Sequence, residues 1–228
     1  MTTTLDITSD PICPWCYIGK SYLDRALAQA PDHPFEIRWR PFQLNPDMPA
    51  EGMDRRAYLE GKFGGPEGAA SVYGRIEETA KQAGLDIDFA AIKRTPNTID
   101  AHRLIHWAGI EGRQPAVVAQ LFRRYFREGQ DISDHGVLTD VAEAVGMNAE
   151  ATARLLSGEA DRDEVRRADQ MARDMGVQGV PTFIIGAHYA LSGAQPPELW
   201  GQVIAEITEK TRAMADTAAR ETPGGLPN

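Results

Sequence analysis

Two cysteines in 228 residues, both inside Cys13-Pro14-Trp15-Cys16, constrain this chain more than any other feature of its sequence. Ahead of them Thr4-Leu5-Asp6-Ile7-Thr8 alternates polar and apolar as a strand does, and behind them Leu23, Ala26, Leu27 and Ala30 recur at the spacing of a buried helical face. The pair therefore belongs where a strand gives way to a helix. With Cys13 at the N-cap, Pro14 takes the first helical position, where a missing N–H removes nothing the helix uses. Cys16 falls at the third. A thiolate at Cys13 is then expected to accept hydrogen bonds from the free Trp15 and Cys16 N–H groups and to face the positive end of the helix dipole, which favours thiolate over thiol. Cys16 shares that helical face, within reach of a disulfide but more shielded. The thiolate is the nucleophile in thiol chemistry, so the pattern points to Cys13 as the attacking sulfur and Cys16 as the resolving one.

Other uses of a C-x-x-C fit less well. A zinc site needs two further ligands, and the remaining candidates, His102 and His106, read better as a surface histidine and a packed one than as a completing pair. No metal is expected. A structural disulfide across so short a loop restrains little chain entropy.

The rest of the chain reads as one large domain or a domain with an insertion. Its hydrophobic content of 42% is enough for a core. A net charge of −9 and a pI near 5.1 argue against nucleic acid or an anionic membrane surface as the main partner. Met1 leads through threonines directly into the first strand, without a charged and then apolar leader, and no apolar run has the length of a membrane span. A cytoplasmic location is the expectation, where the dithiol faces a reducing pool.

Along the sequence the first helix ends near Ala30-Pro31, and Phe35 to Arg40 alternates as a second strand. That completes a β-α-β unit with parallel strands. Pro41, Pro46 and Pro49 exclude a regular element up to Glu51. From Met53 to about Ser157 the pattern is helical. Asp54 to Phe63 is closed by Gly64-Gly65-Pro66, and Glu67 to Ala83 is stopped by Gly84. A helix capped by Asn97 or Thr98 follows, then one striped by Val117, Leu121, Phe122, Tyr125 and Phe126, then one by Val137, Leu138, Val141 and Val145. The aromatic stripe is read as core. Ala160 to Met175 is an amphipathic helix, Val177 to Gly186 a buried strand opened by Pro181, and Tyr189 to Ser192 its hairpin partner. Pro197 starts a last helix carrying Leu199, Val203 and Ile207, and the polar end of the chain is expected to be a disordered tail.

The expected fold class is therefore α/β: residues 1–50 and 160–218 in one β-α-β … α-β-β-α domain, 51–159 as an all-helical insertion, and 219–228 as the tail. This order, the C-x-x-C at the first helix and Val180-Pro181-Thr182 before the third strand resemble the thioredoxin superfamily, and the insertion resembles its DsbA-like branch. Ser9-Asp10-Pro11-Ile12-Cys13-Pro14-Trp15-Cys16-Tyr17-Ile18-Gly19-Lys20 is similar to the FrnE-like dithiol-disulfide oxidoreductases of polyketide biosynthesis. So are Arg40-Pro41-Phe42-Gln43-Leu44-Asn45-Pro46, Arg94-Thr95-Pro96-Asn97-Thr98 and Leu191-Ser192-Gly193-Ala194-Gln195.

The resemblance implies thiol–disulfide exchange, with Cys13 as nucleophile and Cys16 resolving. It implies a cis Pro181, with the Val180 backbone free to pair with an extended substrate, and Pro14 and Trp15 beside it as further contacts. Partners would be protein or small-molecule thiols and disulfides. No cofactor beyond the redox-active pair is implied, with glutathione as a co-substrate and a homodimer by analogy with kappa-type transferases. The competing reading is a glutathione-dependent transferase or isomerase, of kappa or 2-hydroxychromene-2-carboxylate isomerase type, acting on a small aromatic compound. Those relatives usually carry serine at the position of Cys13. A cysteine-bearing binding module without turnover is a third reading. Asn97, Thr98 and His102 are candidates to line the cleft above Cys13, though a helix cap and a helix face account for them almost as well.

Overall fold

In a computed structural model, which describes residues 2–221, strands and helices alternate at both ends of the chain and helices fill the middle. β1 (Thr3–Ser9), α1 (Pro14–Gln29) and β2 (Phe35–Pro41) form the first unit, with β1 and β2 parallel and Ile7 opposite Trp39. β5 (Thr182–Ile185) and β6 (Tyr189–Ser192) form an antiparallel hairpin, and β5 adds antiparallel to β1. The sheet order is β2-β1-β5-β6. α9 (Pro197–Glu221) closes the fold by packing against α1. Leu5, Ile7, Phe183 and Trp200 are wholly buried between these layers, and Phe183 meets the Trp200 ring edge-on at 4.8 Å.

Between β2 and β5 lie α2 (Arg55–Phe63), α3 (Pro66–Gln82), α4 (Ile99–Ile110), α5 (Gln114–Phe126), α6 (His135–Ala144), α7 (Ala149–Leu156) and α8 (Arg162–Asp174). Their ends follow local chemistry. Asp54, Asp134 and Asn148 accept hydrogen bonds from the first-turn N–H groups of α2, α6 and α7. Gly64 ends α2 in the left-handed conformation, and Pro66 opens α3. The segment is helical except for one ladder of two residues on each side, β3 (Met53–Asp54) with β4 (Arg94–Thr95), too short to leave a periodicity in the sequence. α4, α5 and α8 contact β2, so the helical segment covers the sheet at its β2 edge. The aromatic stripe of α5 is core, as its spacing predicts: Val117, Leu121, Phe122, Tyr125 and Phe126 are all buried.

Three expectations need correction. The strand expected over 177–186 is regular as β5 only from Thr182 to Ile185, where it pairs with β1; before it the Pro181 carbonyl accepts from the Gly193 N–H at 2.8 Å, and residues 177–180 have no partner in β1. Residues 149–156 form a separate helix, which the sequence reading merged into its surroundings. Residues 219–221, expected to belong to the tail, continue α9; residues 222–228 lie outside the described residues.

Candidate functional site

The last residues of β1 run into a tight turn, Asp10 to Cys13, closed by the Cys13 N–H donating to the Asp10 carbonyl at 2.9 Å. Cys13 is the N-cap of α1 with extended backbone, Pro14 opens the helix, and the Cys13 carbonyl accepts from the Cys16 and Tyr17 N–H groups at 3.1 and 3.2 Å. This matches the expected geometry. Tyr17 then stacks on Phe122 and Phe126, at 5.1 and 5.5 Å between centroids, and fixes the first turn of α1 against α5.

The Cys13 side chain does not act as the cap. No side-chain hydrogen bond closes the helix start; the thiol instead donates across the fold to the Val180 carbonyl at 3.6 Å. A protonated sulfur is a donor, and here its acceptor is the backbone that leads into β5. Val180–Pro181 is a cis peptide. Both cysteines carry free thiols and both are buried, Cys13 at 4% exposure and Cys16 at 1%. Burial first, then the neighbouring Cys13 sulfur, pushes Cys16 well above the ordinary thiol range, while the Ser9 hydroxyl and the Asp10 main chain pull the other way. Trp15, between the cysteines, is 38% exposed, while Pro14 is buried.

Close packing holds α1 against β5. A Cβ added to Gly19 would lie 3.1 Å from Pro181 Cγ and 3.3 Å from the Phe183 ring, tight contacts that require the neighbouring side chains to give by a few tenths of an ångström. Beside Val180 and Pro181 a cavity of about 540 Å³ is lined by residues 175–182 together with Ile184, Ala190, Ser192 and Gly193. The sequence candidates Cys13, Cys16, Pro14, Trp15, Val180 and Pro181 are thus brought together by two segments distant in sequence.

Asn97 donates to the Met48 carbonyl at 2.7 Å and lines a cavity of about 430 Å³ with Gln43, Met48 and Asp100. Thr98 and His102 do not line an open cleft but gather around Asp10, a residue the sequence reading passed over. The Asp10 carboxyl is wholly buried, accepts from the Leu44 N–H at 2.7 Å and the Ile12 N–H at 3.3 Å, and is hydrogen-bonded by Thr98. Burial outweighs these bonds and pushes it up to about 7. His102, also buried, places Nε2 3.9 Å from Asp10 Oδ1 and makes no hydrogen bond through that nitrogen among the described residues. Burial holds its imidazole down at about 4, against the opposing pull of Asp169. His102 is therefore the packed histidine and His106 the half-buried one, the reverse of a ligand pair. Asp169 itself accepts from the Gln43 N–H at 2.8 Å and from Arg173 Nε at 3.0 Å, and Arg173 stacks over Phe42 at 4.1 Å. The irregular loop after β2 is thus tied both to α8 and to the cysteine turn. A carboxylate three residues before the first cysteine, followed directly by Pro11 and Ile12, is the available signal for Asp10.

Among the described residues no group of histidine, cysteine and acidic side chains is arranged to hold a metal ion, and no helix is long and apolar enough to cross a membrane.

With this geometry the comparison with known proteins is direct. Residues 4–205 match the DSBA-like thioredoxin domain. The chain belongs to that family. A probable DsbA oxidoreductase from Streptomyces coelicolor is 30% identical, the match covering 99% of this chain and 94% of the other with a TM-score of 0.80. Two more distant structures share the fold. A 2-hydroxychromene-2-carboxylate isomerase is 20% identical over 94% of this chain and 98% of its own, with a TM-score of 0.68. The cytosolic disulfide reductase DsbM of Pseudomonas aeruginosa is 19% identical over 92% and 99%, with a TM-score of 0.65, and its structure is also known with glutathione. DsbA-like proteins include disulfide oxidoreductases and isomerases, and this chain presents the DsbA-like scaffold with two free thiols at the start of its first helix.

Proposed function

We propose that the protein is a dithiol–disulfide oxidoreductase in which Cys13 attacks and Cys16 resolves. The observation that carries this reading is the pair of free thiols at the N terminus of α1, one of them facing the Val180 backbone and the other sealed beneath it. A substrate backbone pairing with Val180 competes with the Cys13 thiol for the Val180 carbonyl, and the displaced thiol gives its proton to water. The Cys13 thiolate then attacks one sulfur of a substrate disulfide; that S–S bond breaks, its electron pair leaves with the other sulfur, and a mixed disulfide remains. Cys16 gives its proton to the substrate thiolate released in the first step and attacks the Cys13 sulfur. The Cys13–Cys16 disulfide forms and the second substrate thiolate departs. Two substrate sulfurs are reduced and the two cysteines oxidised; a thiol such as glutathione, abundant in the cytoplasm, restores them. Run in reverse, the same steps oxidise a dithiol. Trp15 and Pro14 frame the attacking sulfur, and Val180 supplies backbone pairing to an extended peptide without side-chain selectivity.

The alternative, a glutathione-dependent transferase or isomerase acting on a small aromatic substrate, needs no resolving thiol. Cys16→Ser distinguishes the two. In the dithiol reading it accumulates thiol-labile adducts and loses insulin reduction, while Cys13→Ser traps nothing and is inactive. If Cys16→Ser captures no adduct and the wild type reduces no disulfide, the proposal fails and the glutathione-dependent reading replaces it.

A further inference from the structure

Away from the cysteines, a cavity of about 400 Å³ opens between the start of α2, the start of α3 and the segment before β4. Its size is that of a small-molecule site. Leu59, Pro66, Ala69, Phe89 and Ile92 make much of the wall apolar. The charged residues around it differ in how far they are already engaged. Asp54 caps α2 through the Ala57 N–H at 2.9 Å, Glu60 is paired with Arg56 at 2.7 Å, and Lys93 donates to the Ala90 carbonyl at 2.7 Å. Arg55 stands apart. It is only 7% exposed, yet among the described residues no carboxylate lies within ion-pair distance of it.

What surrounds Arg55 is aromatic and phenolic. Its guanidinium lies 5.1 Å from the Tyr73 ring centroid, 5.8 Å from Phe89 and 6.0 Å from Tyr125. Nη1 donates to the Tyr125 hydroxyl at 3.0 Å, the Tyr73 hydroxyl is also hydrogen-bonded to Arg55, and the Tyr125 hydroxyl in turn donates to the Arg94 carbonyl at 3.3 Å. Ring faces and neutral oxygens orient a guanidinium but do not neutralise it, and a charge taken out of water without a counter-ion is held at a cost. A planar fork of donors fixed beside an apolar cavity is the arrangement that receives a carboxylate. The chain's net charge of −9 offers no long-range attraction for such an anion, so the recognition has to be local.

We propose that this cavity binds a small organic carboxylate with an apolar body, its carboxylate on Arg55 and its body against Leu59, Ala69, Phe89 and Ile92. The site is separate from the dithiol but not remote from it. Phe89 packs on Phe126 at 6.3 Å, and Phe126 stacks on Tyr17 in the first turn of α1. Binding needs neither cysteine.

The test is calorimetric titration of the reduced protein with phenylacetate, hexanoate and indole-3-acetate at up to millimolar concentration, beside phenylacetamide as the neutral counterpart. At least one acid is expected to bind, and where that acid is phenylacetate the amide is weaker by about tenfold or more. Arg55→Met abolishes the binding, Ala69→Phe blocks it by filling the cavity while leaving Arg55 and its phenols in place, and Cys13→Ser keeps it. If Arg55→Met fails to fold, Ala69→Phe alone decides. The proposal is overturned if none of the acids binds, if the amide matches phenylacetate, or if binding survives in Ala69→Phe. Loss of binding in Cys13→Ser also overturns it, and in that case assigns the acids to the dithiol site instead.

Discussion

Asp10 and His102 should exchange a single proton when the protein unfolds, and replacing either residue should expose a pH dependence that the pair conceals. In the folded chain burial holds the Asp10 carboxyl protonated up to about 7 and keeps the His102 imidazole neutral down to about 4. In the unfolded chain the same groups revert to 3.8 and 6.5. A carboxyl whose folded value is raised contributes stability that is complete below its unfolded value and lost as pH rises through the folded one. An imidazole whose folded value is lowered is a burden at low pH that is lifted as pH rises from about 4 to 6.5. Over that window both states hold one proton, on Asp10 when folded and on His102 when unfolded, so the two slopes cancel. Asp10→Asn removes the falling limb: relative to wild type, its stability should climb by about 1.4 kcal/mol per pH unit, or about 4 kcal/mol between the two Asp10 values. His102→Asn should do the reverse, falling relative to wild type by about 3 kcal/mol over its own window. Urea unfolding of the reduced proteins from about pH 4 to about pH 7 measures the difference profiles directly, since titrations elsewhere in the chain subtract out. Parallel profiles for Asp10→Asn and wild type would refute the buried protonated carboxyl. A change of slope in the same direction for both variants would refute the exchange.

Gly19→Val should weaken the active-site seam as well as the fold, because a side chain there meets Pro181 Cγ and the Phe183 ring at close range. A loss of about 1–3 kcal/mol by denaturant unfolding is expected from overpacking, together with slower thiol–disulfide exchange; unchanged exchange would show that α1 and the cis-proline turn need not touch. Arg103→Met should be among the most damaging single changes. This wholly buried guanidinium donates to the Leu155 carbonyl in the last turn of α7, to the Gly158 and Ala160 carbonyls beyond it, and to Asp100 at 2.7 Å. Its removal is expected to cost about 3–5 kcal/mol in thermal or urea unfolding, with His135 and Arg162 left as the remaining partners of Asp100. Trp15→Ala should leave stability nearly unchanged, since the ring is among the exposed large hydrophobics, and should instead raise KM for peptide disulfides in the insulin assay; an unchanged KM would remove Trp15 from the substrate contacts.

Much of this protein was written locally. The strand into Ser9, the cap at Cys13, the proline at the first helical position and the apolar stripe of α5 each depend on residues a few positions apart, so side-chain periodicity and capping chemistry reveal them without the rest of the fold. The same holds for the dithiol: a helix N terminus and a three-residue spacing are properties of one short segment. Only the tertiary structure decided what Cys13 faces. Its hydrogen bond to Val180 joins residues 167 positions apart, and it replaced the local cap that the helix start alone suggests. The burial of Asp10 was equally invisible, because a carboxylate is expected at the surface until Leu44 from the loop after β2 and Thr98 and His102 from the start of α4 close around it. Arg55 gave no sign of its isolation from acids, since a charged residue at a helix start reads as solvated until Tyr73, Phe89 and Tyr125 are folded over it. Periodicity reports which face of an element is buried; it carries no information about which distant groups meet there, and the protonation and pairing of a buried charge are set by those meetings.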